Sequence, residues 1–372
     1  MSRPGREPRR RRAAPSSRLS RPARHGGGAL SESSHLERPP ALRPGDRVAV
    51  VAPAGPVERA ALEKGLAVLA SRYEPVVAEG LFARTRYVAG DDRRRLGELL
   101  AALDDPTVRG IFAARGGYGT MRLLAAVGPR LAAARRPKLL VGFSDVTALH
   151  LAWQARGWTS VHGPVVTQLG CQPPDVAERL FRLVEATGEP APALGGVPLV
   201  GGVAEGLLLG GNLSLVTRLL GTPYFPGVTG AVLLLEDVGE RPYRLDRMWT
   251  HLGLAGVLHR IRGIALGEFT DCEEPDADFG SRDVLAALAA ETGLPCVGGL
   301  SIGHGEVNQA VPLGARVRLD GDRGRLTFLE PVVTEPAEGP SPAPDRPPPR
   351  SVASRRRGAS LPARRRRTAR DR

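Results

Sequence analysis

The sequence is poor in cysteine. Its 372 residues include three, Cys171, Cys272 and Cys296, set far apart. With no CxxC pair and no Cys/His cluster, neither a disulfide framework nor a zinc site is implied, and the usage suits a reducing compartment, the cytoplasm. Nowhere do ~18 apolar residues run together, so no membrane-spanning helix is expected. The stretch AAPSSRLSRPARHGGG that follows Arg9–Arg12 lacks the ~7–15-residue apolar core of an export signal.

Acidic residues are scarce only at the ends. The chain carries a formal charge of +13. Residues 1–40 hold ten Arg against three Glu, and residues 331–372 hold eleven Arg against four acids. That leaves 31 basic and 32 acidic side chains in the 290 residues between, so the basicity belongs to the tails. Both tails are rich in Arg, Pro, Ser and Ala and have too little apolar surface to offset chain entropy, so both are expected to be disordered. The runs Arg9–Arg12 and Arg364–Arg367 have no interleaved aromatics on which bases could stack. Solvated tails, or a start codon set too far upstream, are therefore expected rather than specific nucleic-acid binding.

Between the tails, strands and helices alternate. Arg43-Pro44-Gly45-Asp46 reads as a turn into the apolar run Arg47–Pro53, continuous enough to be buried on both faces of a parallel sheet. Helical spacing over Ala60–Ala70 follows. Then come a strand near Tyr73–Ala78, a helix near Asp92–Leu103, a strand at Gly110–Ala114, a helix near Met121–Leu124 and a strand at Leu139–Gly142. The pattern predicts a doubly wound α/β domain over 41–170. A Pro/Gly-rich linker with a short helix-like piece, Val176–Val184, is expected over 171–200, and a smaller α/β domain with a mixed sheet over 201–330.

Ligands of such sheets sit beyond the carboxyl ends of the strands. Two segments fall there, Ala114–Gly119 and Phe143-Ser144-Asp145. The second has the layout of a nucleophile elbow, a serine on the turn between a buried strand and a helix. It lacks the second glycine of G-x-S-x-G, and a Ser-Asp pair is also a good helix N-cap. Serine chemistry needs a base and an orienting acid. Of seven histidines, His25 and His35 lie in the basic arm. His150 and His251 fall on helices, and His259 lies in a basic, surface-like segment. His162, in VHGPVV, reads as a structural hydrogen-bonding residue. His304 is flanked by glycines that let the backbone approach a site closely. Glu236 and Asp237 end an apolar strand and should face opposite sides, so one can meet a histidine; a salt bridge to Arg241, Arg244 or Arg247 is the other reading. The loop ARGGYG could cradle a phosphate, but lacks the Lys-Ser/Thr of a P-loop.

Taken together, RPGDRVAVVAPAGPV, ARGGYGT, LLVGFSDVTALH, VHGPVVTQLG, EGLLLGGNLSLV, LLLEDVGERPYRLDRMW, LGEFTDC and IGHGEVNQAVPLG resemble the LD-carboxypeptidase family of serine peptidases. That family includes muramoyltetrapeptide carboxypeptidases and microcin C immunity hydrolases. The motifs run in family order over roughly residues 41–330, and the tails have no counterpart. The GEFTDC and EDVGERPYRLDR segments look closer to the murein-recycling branch. The resemblance implies Ser144 as nucleophile, Glu236 as orienting acid and His304 as general base. Oxyanion amides would come from Gly117, or its neighbour Gly116, and from Asp145. It further implies a homodimer with no metal or cofactor, acting on murein tetrapeptide to release D-Ala. Arg115 and Arg241 are candidates for holding the substrate's terminal carboxylate. Two other readings stay open, hydrolysis of a peptidyl-nucleotide antibiotic and non-catalytic binding of a phosphorylated ligand.

Overall fold

The computed structural model describes residues 35–336. The arginine runs of both tails lie outside the described residues.

Five parallel strands build the first sheet: β1 (Arg47–Val51), β2 (Glu74–Val77), β3 (Val108–Ala113), β4 (Leu139–Gly142) and β5 (Ser160–His162), in the order β5-β4-β3-β1-β2. Alternation along β1 explains its unbroken apolar run. Val48 and Val50 face one core, with Leu62 and Leu69 of α1 (Arg59–Ala70). Ala49 and Val51 face the other, with residues from α2 (Asp92–Asp104), α3 (Leu124–Ala133) and α4 (Thr147–Ala155). A strand covered on both sides has no solvent face to mark with polar residues.

After β5 come the short α5 (Val166–Leu169) and α6 (Pro174–Glu185). The helix α6 is the helix-like piece expected at Val176–Val184, longer than expected and packed into the core. Pro174 occupies its first turn, where a missing N–H costs nothing. Leu180, Phe181 and Val184 enter the core beside α1. Phe181 meets Tyr73 edge-on at 5.6 Å, and the Tyr73 hydroxyl donates to Glu185 at 2.6 Å.

The second sheet is mixed. Its strands are β6 (Leu194–Gly195), β7 (Val197–Val200), β8 (Val203–Asn212), β9 (Val232–Val238), β10 (Gly263–Thr270) and β11 (Cys296–Gly298), followed after β12 (Val311–Leu313) by β13 (Arg316–Asp320) and β14 (Arg325–Phe328). The order is β6-β14-β13-β8-β9-β10-β11-β7, with β8 to β11 parallel. Three helices accompany it, α7 (Leu213–Arg218), α8 (Pro242–Leu254) and α9 (Ser281–Thr292).

The apolar-rich run Ala310–Arg318 does not form one strand but divides. Its first part, β12, crosses back and pairs antiparallel with β5, matching Val311 to His162; its second part, β13, stays in the second sheet. The folded body also reaches past the expected limits of 41 and 330. Leu36, Val332 and Val333 are buried, Glu37 bridges to Trp158, and Pro40 bridges to Thr334. Apolar residues from both sheets and the helices packed on them, among them Ile111, Leu149, Leu213, Leu233 and Trp249, share one core.

Candidate active site

The elbow forms where β4 stops. Phe143 is extended, and Ser144 then turns to φ +64° before a single turn, Ser144–Val146, leads into α4. A non-glycine residue in the left-handed region costs on the order of 1–3 kcal/mol. Here it lifts the hydroxyl off the strand end. Small residues make the room. A Cβ on Gly142 would lie 3.0 Å from Ala113 Cβ and Val146 Cγ1. A Cβ on Gly116, across the cleft, would lie 2.8 Å from Ser144 Oγ. The second glycine missing from the motif corresponds to Val146, which is buried in the core.

The second sheet supplies the partners. His304 Nε2 lies 3.1 Å from Ser144 Oγ, and His304 Nδ1 lies 2.7 Å from Glu236 Oε2. A carboxylate only accepts, so Nδ1 carries the proton and Nε2 accepts from the serine hydroxyl. Glu236, at the end of β9, is fully buried. Burial alone would push its carboxyl up, but the two histidines facing it, His162 and His304, outweigh that and hold it at about 2. Asp237 points the other way, as alternation predicts. It accepts from Asn212 Nδ2 and from the Ser214 N–H, both at 2.9 Å. The candidate arginines are engaged elsewhere: Arg241 with Glu274, Arg244 with Glu240, and Arg247 over the Tyr243 ring.

The histidine loop is tied down by a residue the sequence did not single out. Buried Asn308 accepts the Gly303 N–H at 2.9 Å and donates to Gln168 Oε1 at 3.0 Å, while its own N–H reaches Gln172 Oε1 at 2.8 Å. An asparagine four residues after His304 was its only sequence signal. His150 is structural. Its Nε2 donates to the Gly142 carbonyl at 2.8 Å, so its Nδ1 accepts from the Ser160 hydroxyl at 2.9 Å. Burial pushes this imidazole down to about 3.

The glycine loop closes the site. Gly116 accepts the Gly55 N–H at 3.0 Å, and exposed Gly117 sits at φ +113°. Asp145 is buried and accepts the Thr120 N–H at 2.8 Å, pinning the loop to the elbow. Burial raises its carboxyl, against the pull of that hydrogen bond. Arg115 is exposed beside these glycines and donates to the Pro56 carbonyl at 2.6 Å. Beneath them the buried Arg95 guanidinium holds the Pro53 carbonyl and Asp92. Among the described residues no group of three or more His, Cys, Asp or Glu is placed to hold a metal, and no helix is long and apolar enough to cross a membrane.

An elbow serine, a histidine and a buried carboxylate within hydrogen-bond reach can run acyl transfer. The sequence is similar to known proteins over most of the described body. Residues 48–163 match the LD-carboxypeptidase N-terminal domain, and residues 205–319 match the LD-carboxypeptidase C-terminal domain. A protein of Synechocystis sp. provisionally named a carboxypeptidase is 42% identical over 297 residues, 78% of this chain and 97% of that protein. The murein tetrapeptide carboxypeptidase of Pseudomonas aeruginosa is 34% identical over 290 residues, 75% of this chain and 94% of its own. The crystal structure of muramoyltetrapeptide carboxypeptidase from Oxalobacter formigenes superposes with a TM-score of 0.69 at 29% identity, over 78% of this chain and all (100%) of that one. A structure of MccF in complex with glutamyl sulfamoyl guanosine shares the fold, with a TM-score of 0.71 at 19% identity, over 80% of this chain and 99% of that one.

Proposed function

The chain belongs to the LD-carboxypeptidase family, and on that premise we propose that it removes the terminal D-alanine from murein tetrapeptides by a serine acyl-enzyme route. The observation that carries this reading is His304, set between Ser144 Oγ at 3.1 Å and Glu236 Oε2 at 2.7 Å. His304 Nε2 takes the hydroxyl proton as Ser144 Oγ attacks the carbonyl carbon between the L-centre of diaminopimelate and D-Ala. Glu236 fixes the tautomer and stabilises the imidazolium. The oxyanion meets the backbone N–H groups of Gly117 and Asp145. His304 then returns the proton to the leaving amine of D-Ala, and water, with His304 as base, releases the acyl group. These steps use protein groups alone.

Arg115 is the better of the two candidates for the substrate's terminal carboxylate. It adjoins Gly116, which faces Ser144, whereas Arg241 would first have to leave Glu274. A cytoplasmic homodimer acting in murein recycling completes the proposal.

The test is incubation of the full chain with L-Ala-γ-D-Glu-meso-diaminopimelate-D-Ala and with its all-L isomer, beside Ser144→Ala, followed by mass spectrometry. Release of D-Ala from the first peptide only, lost in the variant, is the expected result. No release from either peptide overturns the substrate assignment and redirects the search to peptidyl-nucleotides.

A further inference from the structure

Glu236 is flanked by two histidines, and the triad uses one. Its Oε2 faces His304, while its Oε1 lies 3.9 Å from Nε2 of His162. Glu236 and His162 are both 0% exposed. Among the described residues, Glu236 Oε1 and both ring nitrogens of His162 have no hydrogen-bond partner. Such groups are rarely left so inside a protein without a reason.

The placement of His162 is fixed by the sheet. It ends β5, is paired with Gly142 on one side and with Val311 on the other, and so sits beside the strand that carries the elbow. Its ring meets the Phe143 ring edge-on at 5.7 Å, and Phe143 also lies against His304 at 4.8 Å. The ionisable groups facing it are Glu236 from β9 and His150 from α4, whose ring lies 6.4 Å away; His304 lies beyond Glu236. The contact therefore runs from the first sheet to the second, parallel to the one between Ser144 and His304.

We propose that His162 is a positioning residue for the general base: with its proton on Nε2 it donates to Glu236 Oε1 and holds the carboxylate plane so that Oε2 keeps facing His304. A glutamate carboxylate turns easily about its last torsion, which has a broad profile. One hydrogen bond to Oε2 does not stop that rotation; a second donor on the other oxygen does. The gap of 3.9 Å is longer than a hydrogen bond, and a movement of less than about 1 Å closes it. Catalytic hydrogen bonds commonly tighten in this way once substrate is bound. The donor also shares the carboxylate's charge, so less of it falls on the His304 ring.

This inference rests on Ser144 and His304 being nucleophile and base, so its test avoids the murein substrate. The full-length protein, His162→Leu and His162→Gln are reacted with a fluorophosphonate, and Ser144 labelling is followed by intact mass across pH. Gln presents an N–H donor at a reach close to that of Nε2; Leu presents none. Thermal unfolding shows which variants are folded. The expected result is labelling slowed about ten-fold or more in His162→Leu, as for other residues that orient a functional histidine. Its pH midpoint moves upward, because the carboxylate now acts on His304 alone, and His162→Gln recovers most of the rate and the original midpoint. Folded His162→Leu with wild-type rate and midpoint overturns the proposal. So does His162→Gln as slow as His162→Leu when both are folded, and if Leu does not fold, a folded Gln variant with a displaced midpoint does the same. If Ser144 in the unmodified protein does not label, the nucleophile reading itself falls and takes this one with it.

Discussion

Gly303 has no side chain because Glu236 stands where its Cβ would go. A Cβ there would lie 2.6 Å from Glu236 Oε2, the oxygen that holds His304. The backbone at Gly303 is also at φ +115°, which disfavours any L side chain. The residue before His304 is thus shaped by Glu236.

Gly303→Ala should therefore displace the carboxylate, the histidine or both. A shift of about 1 Å at such a site costs roughly 100-fold in rate. The expected outcome is kcat reduced by about that factor in a protein that still unfolds cooperatively; an active Gly303→Ala would show that the loop has slack.

The strain at Ser144 can be read as stability. At φ +64° a glycine relaxes what an alanine does not. Ser144→Gly should be more stable than Ser144→Ala by about 1 kcal/mol in urea unfolding, while both lack activity. Equal stability would mean that the turn is unstrained.

Asn308→Ala leaves the Gly303 N–H and Gln168 without their partner. Loss of buried hydrogen bonds of this kind costs about 1–3 kcal/mol. We expect that loss of stability, with kcat falling and KM little changed, because the loop carries His304, the proposed base. Asn308→Asp keeps the acceptor for Gly303 but turns a buried carboxylate towards Gln168 Oε1, and should cost at least as much stability as Asn308→Ala.

Acid should destabilise the fold in two stages. His150 takes up a proton near 6.5 when unfolded but is held at about 3 in the fold, so between these values the unfolded chain binds more protons and stability falls with pH. Glu236 goes from 4.5 unfolded to about 2 folded, so its contribution, present above 4.5, is lost as pH falls further. His150→Gln should flatten the upper stage, between about pH 6.5 and pH 4.5, in urea midpoints measured across pH, and leave the lower stage in place.

Arg115→Ala should raise KM for peptide acids and leave KM for the matching peptide amides unchanged, if its guanidinium receives the terminal carboxylate. An equal effect on both would assign Arg115 to the loop and its Pro56 contact instead.

Local pattern revealed the parts of this molecule that are local. The apolar run of β1 gave a strand buried on both faces, and alternation separated Glu236 from Asp237 correctly. The elbow could be read in Gly142 to Asp145 because a strand end, a turn and a helix start follow each other directly. What escaped depended on distant partners. The helix-like piece Val176–Val184 was legible, but that it belongs to the core and not to a linker was not, because its apolar stripe has meaning only against α1 and β2. Residues 35–40 look like the polar arm that precedes them, but they are held by Trp158 and Thr334. The place of His162 beside Glu236 follows from two sheets meeting, which no spacing along the chain records.

The crossing of β12 to β5 sets a schedule for the nascent chain. The strand that carries His162 keeps an open edge until Val311–Leu313 has been made, long after the elbow itself. At ~5–20 residues per second, that interval lasts many seconds during synthesis. An unpaired edge invites pairing with another chain. Yield from cells should therefore respond to translation speed and chaperone supply through this one strand, and a truncation that ends before residue 311 should aggregate although it contains Ser144, Glu236 and His304.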